Sequence, residues 1–188
     1  MQNFEISYKS TFCGQWPKLR IYNNDQILKE VECSGNKFTF DLQTQAQNQI
    51  KFQWYNKTEK HTKAIDGAIV EDQTFQLTNI RVEGIQIESW VMTDGHYRPR
   101  YFKGYVAQHK SNRLNYPLEE KLKSQLIWHF PGEFVFNTFE GDFWDWYFDK
   151  KQNKEVIKFL DKDPERVNKC RGSLDPCEEL VASIKKII

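Results

Sequence analysis

Residues 73–89 read QTFQLTNIRVEGIQIES, and the spacing of apolar side chains in that stretch decides the class of fold. Phe75 and Leu77 fall on odd positions and Ile80 and Val82 on even ones, each pair at the period of two that sets side chains on one face of a strand. The phase slips at Thr78-Asn79, which predicts a β-bulge there. Glu83-Gly84 then supplies a two-residue turn that puts Val82 opposite Ile85 and Ile80 opposite Ile87, a hairpin. Such a unit makes an antiparallel sheet with one buried and one wet face, the building block of a β-sandwich.

The same grammar extends outward. Phe38, Phe40 and Leu42 alternate with polar neighbours, as do Ile50, Phe52 and Trp54, and near the start of the chain Phe4, Ile6 and Tyr8. Residues 10–17, STFCGQWP, break the pattern, with Gly14 and Pro17 bracketing Trp16 in a loop. Leu19 and Ile21 lead into Asn23-Asn24-Asp25, turn residues that predict a second hairpin with residues 27–33, and Gly35-Asn36 turns the chain again. Residues 55–72 are polar around Asp66-Gly67 and read as a long loop. Residues 118–130 begin as a charged turn and end in a strand with Leu126, Trp128 and Phe130 on one face. Pro131-Gly132 is expected to return it as a third hairpin through Phe134 and Phe136.

After Thr138 the pattern becomes helical. Asp142, Asp145 and Asp149 share one face, a wet face rather than a cation site, while Phe143, Trp144, Trp146, Tyr147 and Phe148 cover the others. Residues 153–160 continue as helix, Asp163-Pro164 and Asp175-Pro176 read as helix caps, and residues 181–188, VASIKKII, end the helical appendage. The expectation is a mainly β protein: an antiparallel, jelly-roll-like β-sandwich over residues 1–139 and a small helical appendage over 140–188.

The chain has 188 residues, 39% hydrophobic and 28% charged, which suits a packed domain and not a disordered one. A net charge of +1 makes no case for nucleic acid or an anionic membrane as partner. No run of about 18 apolar residues exists for membrane insertion, and MQNFEISYKS lacks the apolar centre of a secretion signal. Cys13, Cys33, Cys170 and Cys177 show no C-x-x-C spacing and are expected to be free thiols. His61, His96, His109 and His129 show no metal-binding spacing, and no phosphate loop, nucleophile elbow or kinase set is present. Nothing marks an enzyme, and no catalytic residue is assigned.

Residues 92–116 carry Arg98, Arg100, Lys103, Lys110 and Arg113 against the single acid Asp94. With Tyr97, Tyr101, Phe102 and Tyr105 among them, they read as an ordered loop or short helix clasped to the body. Such a segment can grip a phosphate backbone or dock a protein, and the near-zero net charge favours the protein. Arg98, Arg100, Tyr101 and Lys103, with Trp144 and Trp146 of the aromatic helix, are therefore the expected partner-binding residues. Trp16, Trp90 and Tyr97 are the aromatics proposed to stack on sugar rings, whose C–H faces suit a flat ring. Trp54 shares the phase of Ile50 and Phe52 and belongs to the core.

The run IKFQWYNK, then EDQTFQL, then NIRVEGI resembles part of the calcium-dependent carbohydrate-binding β-sandwich modules attached to xylanases. The resemblance implies a sandwich, a glycan ligand and calcium. The family places a calcium ligand on the residue after Asn56, where this chain has Lys57, and Asp66, Glu71 and Asp72 are the oxygen ligands left in the loop. The lysine- and asparagine-rich style also resembles the small accessory β-sandwich proteins of tailed-phage virions, those of marine cyanophages in particular. That likeness implies a non-enzymatic structural or attachment protein, made in the host cytoplasm, with other virion proteins and surface glycan as partners. A free carbohydrate-binding module is the alternative.

Overall fold

The computed structural model describes residues 1–66, 68–111, 117–123 and 125–162. Arg113, Cys170, Cys177, the two Asp-Pro caps and residues 181–188 lie outside the described residues. The chain divides into two compact units, Met1–Phe139 and Glu140–Ile188.

The first unit is strand-built: β1 (Gln2–Ser10), β2 (Lys18–Asn23), β3 (Gln26–Glu32), β4 (Lys37–Leu42) and β5 (Gln47–Trp54) come first. A single 3-10 turn (Glu59–His61) leads to β6 (Thr62–Ile65), β7 (Ala68–Asp72), β8 (Phe75–Val82) and β9 (Ile85–Gln86). Then come helix α1 (Ser89–Thr93), β10 (His96–Pro99), helix α2 (Lys103–Ser111), β11 (Leu122–Lys123), β12 (Ile127–Trp128) and β13 (Gly132–Glu140). One sheet runs β12-β8-β1-β4 with β9 added on β8, and a second runs β11-β10-β13-β5-β2-β3. The registers described within both are antiparallel.

The inner faces are those the alternation marks. Phe4, Ile6, Phe40, Leu42, Phe75 and Val82 are buried from one sheet, and Leu19, Ile21, Ile50, Phe52, Trp54 and Phe134 from the other. Phe40 meets Phe52 edge-on across the layer at 6.2 Å, and Trp128 of the first sheet stacks on Tyr97 of the second at 5.0 Å and 5°. Each such ring contributes about 1.5–3 kcal/mol by leaving water. The fold is thus mainly β and antiparallel, as expected.

The bulge falls at Thr78. β1 pairs Ser7 with Asn79 but Tyr8 with Leu77, so Thr78 is the extra residue that carries β8 from one phase to the other. At the β8–β9 turn, Glu83 and Gly84 both take positive φ, 52° and 77°, and Val82 pairs with Ile85. The β2–β3 hairpin forms through Asn24 and Asp25.

Three expectations need correction. Residues 55–72 are not one loop: β6 and β7 pair there as a hairpin of their own. The basic segment is neither one loop nor one helix but α1, the core strand β10 and α2. Finally, Trp128 and Phe134 do not face each other across a hairpin. β12 pairs with β8 in one sheet, β13 joins the other, and residues 129–131 cross between them. Gly132 allows this return, because a Cβ there would lie 2.3 Å from Arg98 O.

The described part of the second unit contains helix α3 (Phe143–Lys162). Its first turns form a ring cluster of their own, with Phe143 against Tyr147 at 5.9 Å and Trp144 against Phe148 at 5.9 Å.

Candidate binding site

The crossover is where one end of the sandwich is assembled. β5 ends at Trp54, and Asn56 turns the chain: its Oδ1 accepts from Trp54 Nε1 (3.1 Å) and Lys18 N (2.8 Å), and its Nδ2 donates to Trp16 O (2.8 Å). That turn sends Lys57 inward, and its side chain is 1% exposed. Lys57 Nζ donates to Asp72 Oδ1 (2.5 Å), Gln73 O (2.7 Å) and His129 O (2.6 Å). The next two carbonyls are also taken, Phe130 O by the Tyr97 hydroxyl and Pro131 O by Arg100 N (2.7 Å). Three consecutive backbone acceptors of the crossover are therefore each held by a donor from another segment.

Asp72 is the anionic member. Burial alone would raise its carboxyl, but hydrogen bonds from His129, Lys57 and Thr62 hold it below the usual carboxylate range. The His129 Nδ1 contact is long, 3.4 Å, and Thr62 Oγ1 donates at 2.5 Å. Burial pulls the Lys57 ammonium below its ordinary value against the opposing pull of Asp72, and burial raises the Tyr97 phenol strongly.

Above this floor lie two clefts that share Tyr101. The first, about 370 Å³, is lined among others by Tyr101, Tyr105, Phe130, His129, Glu119 and Gln125. Tyr101 and Tyr105 lie 5.9 Å apart at 20° and both lean on Phe130 at 5.0 and 4.7 Å. The Tyr101 hydroxyl donates to Glu119 O (3.0 Å), while the His129 side chain is 57% exposed at the rim. The second cleft, about 570 Å³, is lined by Tyr101, Arg100, Lys103, Lys60, Glu59 and Tyr55, among others. Glu59 Oε1 accepts from Gly104 N (3.0 Å) in the first turn of α2, a placement that suits a carboxylate. Arg20 covers one face of Tyr55 at 4.3 Å. No ion-pair partner is found among the described residues for Lys60, Arg100 or Lys103.

Arg100, Tyr101 and Lys103 thus come together, whereas Arg98 lies exposed on β10. Trp144 and Trp146 are half-buried on α3 in the second unit. Tyr97 is 1% exposed and stacked on Trp128, at the inner wall of the first cleft. Trp16 is half-buried with its ring edge-on to Phe12, and Trp90 is half-buried on α1 with its indole N–H on Glu88. Neither lines the clefts.

The expected metal ligands do not converge. Asp66 is exposed at the β6–β7 turn, Glu71 pairs with Lys63 (2.6 Å), and Asp72 is taken by Lys57. Among the described residues no three His, Cys, Asp or Glu side chains gather as a metal-binding group. Cys13 and Cys33 are buried free thiols, and burial pushes the Cys33 thiol up to about 12.

Sequence reasoning met Lys57 only as a cation in place of an expected calcium ligand, and it assigned no site role to His129, Glu119 or Gln125. Only the aromatic and basic density of residues 97–105 signalled this end of the molecule.

No known protein family matches the chain, and no curated protein matches it. Two solved structures do, at 8% identity. One, described as "vCBM60 in complex with galactobiose", covers 73% of this chain and 99% of its own with a TM-score of 0.45. The other, a selenomethionine form of vCBM60 described under "an evolutionary link between two families of calcium-dependent carbohydrate binding modules", covers 73% and 92% with a TM-score of 0.46. Both are forms of the carbohydrate-binding module vCBM60.

Proposed function

We propose that this chain is a saccharide-binding β-sandwich and that the Tyr101 ridge between the two clefts is its binding surface. The observation that carries the reading is the pairing of Tyr101 and Tyr105, two half-buried rings on a Phe130 base, in a cleft whose rim holds His129, Glu119 and Gln125. A cleft of about 370 Å³ lies within the range of small-ligand sites, and its mix of flat apolar faces with a few polar groups is the pattern such sites share. A sugar ring offers the complement, a C–H face for the aromatic and hydroxyls for the rim. Lys60, Arg100 and Lys103 on the other side of Tyr101 favour a saccharide bearing carboxylate or sulfate groups.

The test is calorimetric titration with matched neutral and acidic oligosaccharides. Wild type is expected to bind, the acidic member more tightly, and Tyr101→Ala to lose roughly 10-fold or more, the scale of an interface aromatic. A panel in which no saccharide binds sinks the reading. Carried on a tailed-phage particle, such a module would serve attachment, a setting that copy number in purified virions tests.

A further inference from the structure

Lys57 has the surroundings of a bound cation. Its ammonium is enclosed by Asp72 Oδ1, Gln73 O and His129 O at 2.5, 2.7 and 2.6 Å, with the Trp54 ring 5.5 Å away. The acceptors come from the end of β7, the link to β8 and the crossover, so one charged atom joins three segments. An ammonium has three protons to donate and accepts none, so three oxygens satisfy it completely. One carboxylate and two neutral carbonyls carry a single negative charge, which the single positive charge of Lys57 matches.

Calcium does not fit this arrangement. It takes 6–8 oxygens at about 2.3–2.6 Å, whereas Asp66 and Glu71 do not join Asp72, and the centre of the oxygen cage is filled by the side chain.

We propose that the Lys57 ammonium is a tethered cation that fixes the 129–131 crossover in place of a metal ion, so that the cleft walled by His129 and Phe130 keeps its shape without calcium. The proposal is independent of what the cleft binds. It accounts for a costly choice, a lysine with its charged end inside, by giving that charge a position no solvent ion has to fill. It also explains why Asn56 is so fully bonded, since a turn that drifted would withdraw the ammonium from its three oxygens.

The experiment is thermal and urea unfolding of the purified full chain in EDTA and in millimolar calcium, for wild type, Lys57→Gly and Lys57→Met. Wild type is expected to unfold at the same midpoint in both solutions. Lys57→Gly, which opens the cage and strands Asp72, is expected to lose at least about 100-fold in its folding equilibrium constant. Methylammonium chloride should recover part of that loss where sodium chloride of equal ionic strength does not. Lys57→Met keeps the stem and removes the charge, and takes the place of Lys57→Gly if that variant does not fold. Calcium stabilisation of wild type overturns the proposal, as does Lys57→Met within about 3-fold of wild type.

Discussion

Two tiers of the same residue types meet at the 129–131 crossover. Below it, Tyr97 and Lys57 each give their polar atoms to a crossover carbonyl and are closed off from water. Above it, Tyr101 and Lys103 come from the same short segment as Tyr97 but face open clefts, with Tyr101 half-buried and Lys103 exposed. The step from Tyr97 to Tyr101 is the step from β10 to the loop before α2, where the chain leaves the core. The lower tier holds a shape and the upper tier presents a surface, so substitutions in the two should separate stability from binding.

The largest effect belongs to the lower tier. Tyr97→Ala removes a ring stacked on Trp128 at 5.0 Å and is expected to cost about 3–5 kcal/mol, the range for emptying an aromatic site in a core. Tyr97→Phe keeps the ring but leaves Phe130 O without its donor and should cost about 1 kcal/mol. Urea midpoints measure both. A Tyr97→Ala protein as stable as wild type would erase the distinction between the tiers.

The division also shows what the sequence makes legible. The Thr78 bulge, the Glu83-Gly84 turn and the β2–β3 hairpin are local facts of period and turn chemistry, and each is readable from neighbouring residues. The crossover is not local. Whether Trp128 pairs with the strand after Pro131-Gly132 or with Phe75 is decided by which face of the core has room, and a run of alternating apolar residues carries no such information. The β6–β7 hairpin is hidden for a related reason. Ile65, Ile69 and Val70 are exposed there, so its strands lack the one-sided burial that alternation reports.

For the site, aromatic and basic density pointed to Arg100, Tyr101 and Lys103, yet the same density included Tyr97, which is core. Lys57 shows in the sequence only as a cation at the position after Asn56; its enclosure is not legible there, because one of its acceptors lies 72 residues away.

Acid should loosen the lower tier by a smaller amount. The carboxyl of Asp72 sits below its ordinary value of 3.8 in the folded chain, so the unfolded chain binds its proton first on acidification. The stability it contributes is complete above that value and is lost as pH falls through the folded one. The groups facing it are Lys57, His129 and Thr62. Comparing urea midpoints at pH 6 and pH 3, wild type should drop further than Asp72→Asn, which has no proton to gain. Equal drops would mean that Asp72 carries no pH-dependent share.

The smallest effect is expected at the upper tier and is the most informative about it. Tyr101→Phe removes a hydroxyl whose acceptor, Glu119 O, belongs to an exposed residue where water can replace it. Stability should change by no more than about 0.5 kcal/mol, as for a surface substitution. The ring remains against Tyr105 and Phe130, so saccharide affinity should stay within about 3-fold of wild type while Tyr101→Ala loses the larger factor. A Tyr101→Phe protein that binds as poorly as Tyr101→Ala would shift the role from the ring face to the hydroxyl. Tyr101 would then resemble Tyr97, valued for the carbonyl it holds, and the upper tier would be a second layer of structure rather than a surface for ligand.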